Sequence, residues 1–221
     1  MVKKILISSI MIISLISCGN KSQQNDSAKN NTENKVIENG SWNIDTQQSD
    51  AINEDIKTIF SNATKELLGV KRELMLYLGN QIDEGINYAF ICRSEILAPS
   101  ALPYYEIIIC NVSDQNETSI TKIEKIIESS QSSVGGIICT SSDEAKINTS
   151  KSKESEDIIK IFENAIKNAG DVKYNHELYV ANQVVKGINY YFIASDETSI
   201  KLLTINNFMD SSEIIKTENI L

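Results

Sequence analysis

The stretch Gln183-Val184-Val185-Lys186-Gly187-Ile188-Asn189-Tyr190-Tyr191-Phe192 has a second, related copy in the chain. The other copy, Gln81-Ile82-Asp83-Glu84-Gly85-Ile86-Asn87-Tyr88-Ala89-Phe90, lies 102 residues earlier. Between residues 53–95 and 155–197 the two copies align without a gap, and 21 of the 43 pairs are identical. An internal repeat of this strength predicts two copies of one structural unit in tandem.

Each copy is predicted to be a β-hairpin. Aromatic and β-branched residues alternate on both sides of Gly187 and of Gly85, which is typical of strands, and glycine tolerates the positive φ of a tight turn. An amphipathic helix precedes each hairpin, at about residues 50–68 and 153–169, and further strands follow it. We therefore expect an α+β fold in which each unit packs one helix on an antiparallel sheet of four to five strands.

The first seventeen residues have the character of an export signal. Lys3 and Lys4 precede a short apolar run that ends in Leu15-Ile16-Ser17-Cys18. This ending resembles the bacterial lipobox, which implies cleavage before Cys18, lipid on its thiol and a membrane anchor outside the cytoplasm; ordinary secretion is the alternative. The expected order is signal peptide 1–17, flexible tether 18–38, domain 39–128, linker 129–134 and domain 135–221, with the membrane leaflet left open.

Composition argues against several functions. The net charge is −9 and no basic cluster occurs, so we expect no nucleic-acid partner. The chain shows no nucleophile–base set, no metal-ligand spacing and no phosphate-binding loop, and we expect neither enzymatic activity nor a metal or cofactor. The one histidine, His176, aligns with Leu74 of the first copy, which favours a structural role.

Cysteine spacing suggests one disulfide bond. Cys92 and Cys110 lie on consecutive predicted strands, and a hairpin centred near Ala101 would place them opposite each other. In an exported protein this pair predicts a bridge, and Cys139 is left as a buried apolar residue.

The helix followed by Gln-Val-Val-x-Gly-x-Asn-Tyr resembles the cystatin family over about residues 39–221. Gly135-Gly136, ahead of the second unit's first strand, fits the glycine of that family, and Gly40 fits it more loosely. The resemblance implies inhibition of papain-like cysteine proteases by an apolar wedge that covers the catalytic thiolate and imidazole without offering a bond to cut. The implied protease-binding residues are Gly135, Gly136, Gln183, Val184, Val185, Lys186 and Gly187.

Two departures from the cystatin pattern leave an alternative function open. No Pro-Trp pair follows the motif, and Asn206-Asn207-Phe208-Met209 stands in its place. The first copy carries Asp83-Glu84 at the turn, and burial of unpaired carboxylates in a cleft is costly, so we expect little inhibition from it. The alternative is a binding or structural lipoprotein that uses the two modules as a scaffold.

Overall fold

The computed structural model describes residues 40–130, 132, 135–148, 152–171 and 173–221. The predicted signal peptide 1–17, the lipidation site Cys18 and the tether 18–38 lie outside these residues, as does part of the linker 129–134. Two antiparallel sheets of five strands each and few helices make up the described chain. The predicted α+β class and the strand number per unit are therefore confirmed.

Apart from one additional short helix in the second half, both halves of the described chain follow the same order of elements, and each sheet is a meander. The first half contains β1 (Trp42–Gln48), α1 (Glu54–Thr64), β2 (Val70–Ile82), β3 (Ile86–Ile96), β4 (Tyr104–Val112) and β5 (Thr118–Glu128). The second contains β6 (Ile137–Cys139), α2 (Ser142–Ala145), α3 (Lys153–Asn168), β7 (Asn175–Val185), β8 (Gly187–Ser195), β9 (Ile200–Phe208) and β10 (Ser211–Asn219).

Helix α2 is a four-residue helix in a polar segment of the second half. Ser141 and Glu144 form a capping box, in which each side chain bonds the backbone N–H of the other residue. This reciprocal capping stabilises a single helical turn that has no apolar periodicity of its own, which is why the sequence pattern misses it.

One long helix packs against one face of each sheet. Asn53 and Ser152 cap α1 and α3 by accepting bonds from Ile56 N and Ser155 N. The apolar stripe of each helix then places a phenylalanine against the second strand of the hairpin. The ring centroids of Phe60 and Phe90 lie 5.3 Å apart, and those of Phe162 and Phe192 lie 5.1 Å apart.

The other faces of the two sheets pack on each other. One core cluster contains Leu76 and Ile91 of the first sheet together with Val180 and Ile193 of the second. The helices pack in separate clusters on the outer faces, so the layers run helix, sheet, sheet, helix. The first sheet lies within residues 42–128 and the second within residues 137–219, and each buries one of its faces against the other.

Polar contacts join the halves around this shared core. Arg93 Nε donates to Thr140 O at 2.9 Å, and Thr46 Oγ1 donates to Glu177 Oε1 at 2.9 Å. The turn residues Asp83, Glu84, Val184 and Val185 are exposed and belong to none of the core clusters. The turns around Gly85 and Gly187 therefore lie free of the interface between the sheets.

Candidate functional site

The turn between β7 and β8 requires glycine at its second end. Val185 pairs with Gly187 across Lys186, and Gly187 has a φ of +88°. A Cβ at this position would lie 2.4 Å from Asn207 O and 2.9 Å from Phe208 Cβ. Only glycine therefore allows the turn to pack this closely against the end of β9.

A ladder of side-chain amides fixes the turn to the strands on either side. Gln183 Nε2 donates to Gly135 O at 2.7 Å, Asn189 Nδ2 donates to Gln183 Oε1 at 3.1 Å, and Asn206 Nδ2 donates to Asn189 Oδ1 at 2.8 Å. Tyr191 OH also donates to Gln183 Oε1, at 2.9 Å, and burial raises the pKa of this tyrosine. The segment before β6, the β7–β8 hairpin and β9 are thus held as one preorganised unit.

The first sheet repeats the three amide bonds of this ladder, whereas Ala89 stands in the place of Tyr191. Gln81 Nε2 donates to Gly40 O at 2.8 Å, Asn87 Nδ2 to Gln81 Oε1 at 2.9 Å, and Asn111 Nδ2 to Asn87 Oδ1 at 3.0 Å. The glutamine and asparagine of the motif therefore have a structural role in both copies. The equivalent asparagines of the next strand, Asn111 and Asn206, lie outside the gap-free sequence alignment, because the β3–β4 and β8–β9 loops differ in length.

Apolar side chains project from the end of the second sheet. Val184 and Val185 are 61% and 42% exposed, and Met209, in the turn between β9 and β10, is 82% exposed. Beside them Lys186 Nζ lies 5.1 Å above the ring centroid of Phe208. We call Gly135, Val184 to Gly187 and Phe208 to Asp210 the second-sheet tip.

The backbone of Met209 is in a region that non-glycine residues rarely adopt. Phe208 pairs with Ser211, so Met209 and Asp210 form a two-residue turn, with φ values of +50° and +62°. Asparagine and glycine are the usual residues at such positions, and an apolar side chain there costs free energy. The turn thus holds a long, flexible apolar side chain out in solvent, at the same end of the sheet as the two valines.

The two glycines before β6 differ in their surroundings. Gly135 has a φ of +70°, and a Cβ on it would meet nothing closer than Val184 O at 3.6 Å. A Cβ on Gly136 would lie 2.3 Å from Ser132 O and 2.5 Å from Ser130 Oγ. The close approach of Ser130 and Ser132 therefore explains why residue 136 is glycine, with no need of a binding partner. Gly135, in contrast, lies in the tip beside Val184.

The corresponding end of the first sheet has the opposite chemistry. Asp83 and Glu84 occupy its hairpin turn and are exposed, and the turn from Ser113 to Glu117 is polar. We call Gly40, Ile82 to Gly85 and Ser113 to Glu117 the first-sheet tip. The same amide ladder thus supports an apolar tip on one sheet and an acidic tip on the other.

The expected bridge between Cys92 and Cys110 is not formed, and both thiols are free and buried. Cys92 pairs with Glu106, and Cys110 pairs with Tyr88. The cysteines are therefore offset by four residues, or about 13 Å along a strand, which is too far for a disulfide. The error lies in the register, because the hairpin is centred near Pro99 and not near Ala101. Burial raises the pKa of Cys92 and raises that of Cys110 to about 12, so both stay protonated.

The other sequence expectations concern single residues. Cys139 is free and buried, as the sequence indicated. His176 packs edge-on against Phe162 with ring centroids 5.2 Å apart, which is in line with a structural role. Among the described residues no group of three His, Cys, Asp or Glu side chains is placed to hold a metal ion, and no helix is long and apolar enough to cross a membrane.

Comparison with known proteins gives no match, whether with protein-family models, with curated proteins or with solved structures.

Proposed function

We propose that the chain is a surface-anchored, cystatin-like inhibitor of papain-like cysteine proteases, with lipid on Cys18 as its anchor. The two halves are then tandem cystatin-like modules, and the second-sheet tip is the inhibitory wedge. The proposal rests on the repeated Gln-x-x-x-Gly-x-Asn-Tyr motif and on the place of each copy in the fold. Each copy forms the hairpin turn of a meander sheet that carries one long helix.

The observation that carries the proposal is the alignment of three segments at one end of the second sheet. Ile137 pairs with Gln183, Ile188 pairs with Asn207, and Phe208 pairs with Ser211. These pairings bring Gly135, the Val184–Gly187 turn and the Phe208–Asp210 turn side by side. A row of three turns with apolar side chains exposed on two of them suits a narrow cleft.

The physics of the tip favours tight binding. The amide ladder and Gly187 hold the turns before any partner arrives, so little conformational freedom is lost on binding. Full burial of an aliphatic or methionine side chain is worth about 1.5–3 kcal/mol. Val184, Val185 and Met209 still expose much of their apolar surface, which is therefore available for burial on binding. Met209 stands on the hairpin where cystatins carry Pro-Trp, and we propose that it supplies the apolar contact there.

The first-sheet tip is proposed to take no part in inhibition. Asp83 aligns with Val185 and Glu84 with Lys186, so two adjacent carboxylates would have to lose water inside the cleft. Such desolvation costs several kcal/mol for each unpaired ion. The same amide ladder supports both tips, so the proposed difference in inhibition rests on the surface residues of the tips.

The test is a titration of papain activity with the chain spanning residues 39–221. We expect reversible inhibition at one inhibitor per enzyme, because only one tip is apolar. A Met209→Ser variant should inhibit more weakly with an unchanged melting temperature. If the wild-type chain fails to inhibit papain and a cathepsin, the inhibitor proposal is wrong and the alternative, a non-inhibitory scaffold lipoprotein, is preferred.

The alternative is favoured by one specific observation. The structural core of the motif, namely the ladder and the glycine, is retained in the first copy although its turn residues are acidic. A motif retained for structure alone would look the same. The titration separates the two functions, since a scaffold predicts no inhibition.

The anchor is tested independently of inhibition. Intact mass of the membrane-extracted protein should show cleavage before Cys18 and a lipid adduct. Cys18→Ala should remain uncleaved and without lipid. A Cys18→Ala protein that is processed like the wild type would mean ordinary secretion instead.

A further inference from the structure

A second apolar surface lies on the loops of the first half. Leu68 and Leu97 are 89% and 70% exposed, and Ile96 and Leu102 are exposed beside them. Leu97 N donates to Gly69 O at 2.9 Å, so the loop after α1 and the loop between β3 and β4 are joined. We call Leu68, Ile96, Leu97 and Leu102 the apolar loop patch.

The fold itself does not require this patch, and the second half provides the comparison. Gly170 aligns with Leu68, and the loop between β8 and β9 is the short polar turn from Asp196 to Ser199. There Asp196 Oδ1 accepts bonds from the backbone N–H groups of Thr198 and Ser199. The same architecture thus forms with polar loops, and contiguous exposed apolar residues mark interaction surfaces.

The patch lies at the same end of the molecule as the second-sheet tip. Ser129 N donates to Pro103 O at 3.1 Å, which places the end of β5 against the apolar loop. Ser130 N then donates to Ile137 O at 2.9 Å, and Ile137 pairs with Gln183, next to the tip. A continuous series of backbone contacts therefore leads from the patch to the tip.

A groove of about 550 Å³ lies beside this series of contacts. It contains the last residues of β5 together with Ile137, Tyr191 and Ile215. Thr204 also lines it, and the buried Oγ1 of Thr204 has no hydrogen-bond partner among the described residues. The groove thus adds apolar side chains beside the tip, together with the charged Glu128, Lys216 and Glu218, whereas the buried Thr204 Oγ1 is not accessible to a partner.

We infer that the apolar loop patch is a second contact for the same protein partner that accepts the second-sheet tip. This inference rests on the proposed function, and the patch would meet an apolar surface beside the cleft of the protease. Stable protein complexes bury about 800 Å² on each partner, and the patch would add apolar area to that of the three turns. A bilayer fits less well, because a membrane under the patch would also face the tip and obstruct it.

The experiment measures binding to immobilised papain whose catalytic thiol carries a small methylthio block. The variants are Leu68→Ser with Leu97→Ser, the tip variant Val185→Asp, and Ile123→Ser as the matched control. Ile123 is an exposed apolar residue on β5 outside both surfaces. We expect the patch double variant to raise Kd about tenfold through faster dissociation. The tip variant should abolish binding, and the control should match the wild type.

Each result has a distinct meaning, provided that melting curves show folded variants. Loss of binding by the tip variant with an unchanged Kd for the patch variant would overturn the inference and leave the proposed function standing. Failure of the wild type to bind would contradict both the inference and the proposed function. Sedimentation and flotation with phosphatidylglycerol–phosphatidylethanolamine vesicles are run in parallel. A dimer or a vesicle-bound form that the patch variant loses would assign the patch to a second copy or to a membrane, and would also overturn the inference.

Discussion

Replacement of Val185 by aspartate should separate the function of the tip from the stability of the fold. Val185 is 42% exposed at the end of β7 and belongs to none of the three core clusters. The free energy of unfolding should therefore change by about 0.5 kcal/mol or less, as at other surface positions. In a complex, however, the new carboxylate would be desolvated without a partner.

The expected loss of affinity follows from two contributions. The exposed part of a valine side chain is worth about 1 kcal/mol on burial. Desolvation of an unpaired carboxylate adds several kcal/mol. A total of about 4 kcal/mol or more corresponds to a loss of about a thousandfold or more in affinity. Val185→Thr has the same shape without the charge and should lose about tenfold or less.

The assay is inhibition of papain, with thermal melting of each variant in parallel. Asp83→Val is the matched change at the same position of the first sheet and should retain full inhibition. Two results would refute the reasoning. If Val185→Asp inhibited like the wild type, the turn would not enter the cleft. If the substitution unfolded the protein, Val185 would be a core residue and not part of a binding surface.

Three further predictions concern stability. Gly187→Ala should lower the free energy of unfolding by about 2 kcal/mol or more in a denaturant titration, because the new Cβ meets the backbone of the neighbouring strand at a positive φ. Gly170→Ala is the control, since Gly170 also has a positive φ but open space around it, and it should cost about 1 kcal/mol. Hydrogen bonds from the backbone N–H and hydroxyl of Ser141 lower the pKa of Glu144, so the charged carboxylate stabilises the fold above pH 4.5. That contribution is lost as the pH falls through the folded-state pKa. The difference in melting temperature between the wild type and Glu144→Gln should therefore shrink below pH 4.5, and a constant difference would contradict this. Residues 40–130 expressed alone should lack a cooperative melting transition by circular dichroism, because one face of their sheet is buried only by the other half. A sharp transition would show that the shared core is dispensable.

The local plan of each half could be predicted from the sequence. Period-two alternation around Gly85 and Gly187 gave the two hairpins, and the apolar stripes that include Phe60 and Phe162 gave the helices. These signals are local, because side-chain direction in a strand or helix depends only on position along that element. The repeat then made the two halves equivalent without any knowledge of their contacts.

The candidate site was only partly visible in the sequence. The turn residues Val184 to Gly187 are contiguous and form a motif, so they could be named. The structural roles of Gln183 and Asn189 depend on Asn206 and Gly135, which are distant in sequence and meet only through strand pairing. The register of β3 and β4 was likewise not determined locally, which is why the prediction paired Cys92 with Cys110.

The sequence by itself determined the repeat, the α+β class and the chemical contrast between Val185 and Asp83, because each depends on residue identity and on spacing within one element. Only the tertiary structure decided that the sheets bury their free faces on each other and that Ser129 and Ser130 connect the apolar loop patch to the second-sheet tip. A strand with two apolar faces does not reveal which partner covers each face. That choice is made by burial of both sheets together, and it depends on contacts between residues about a hundred positions apart.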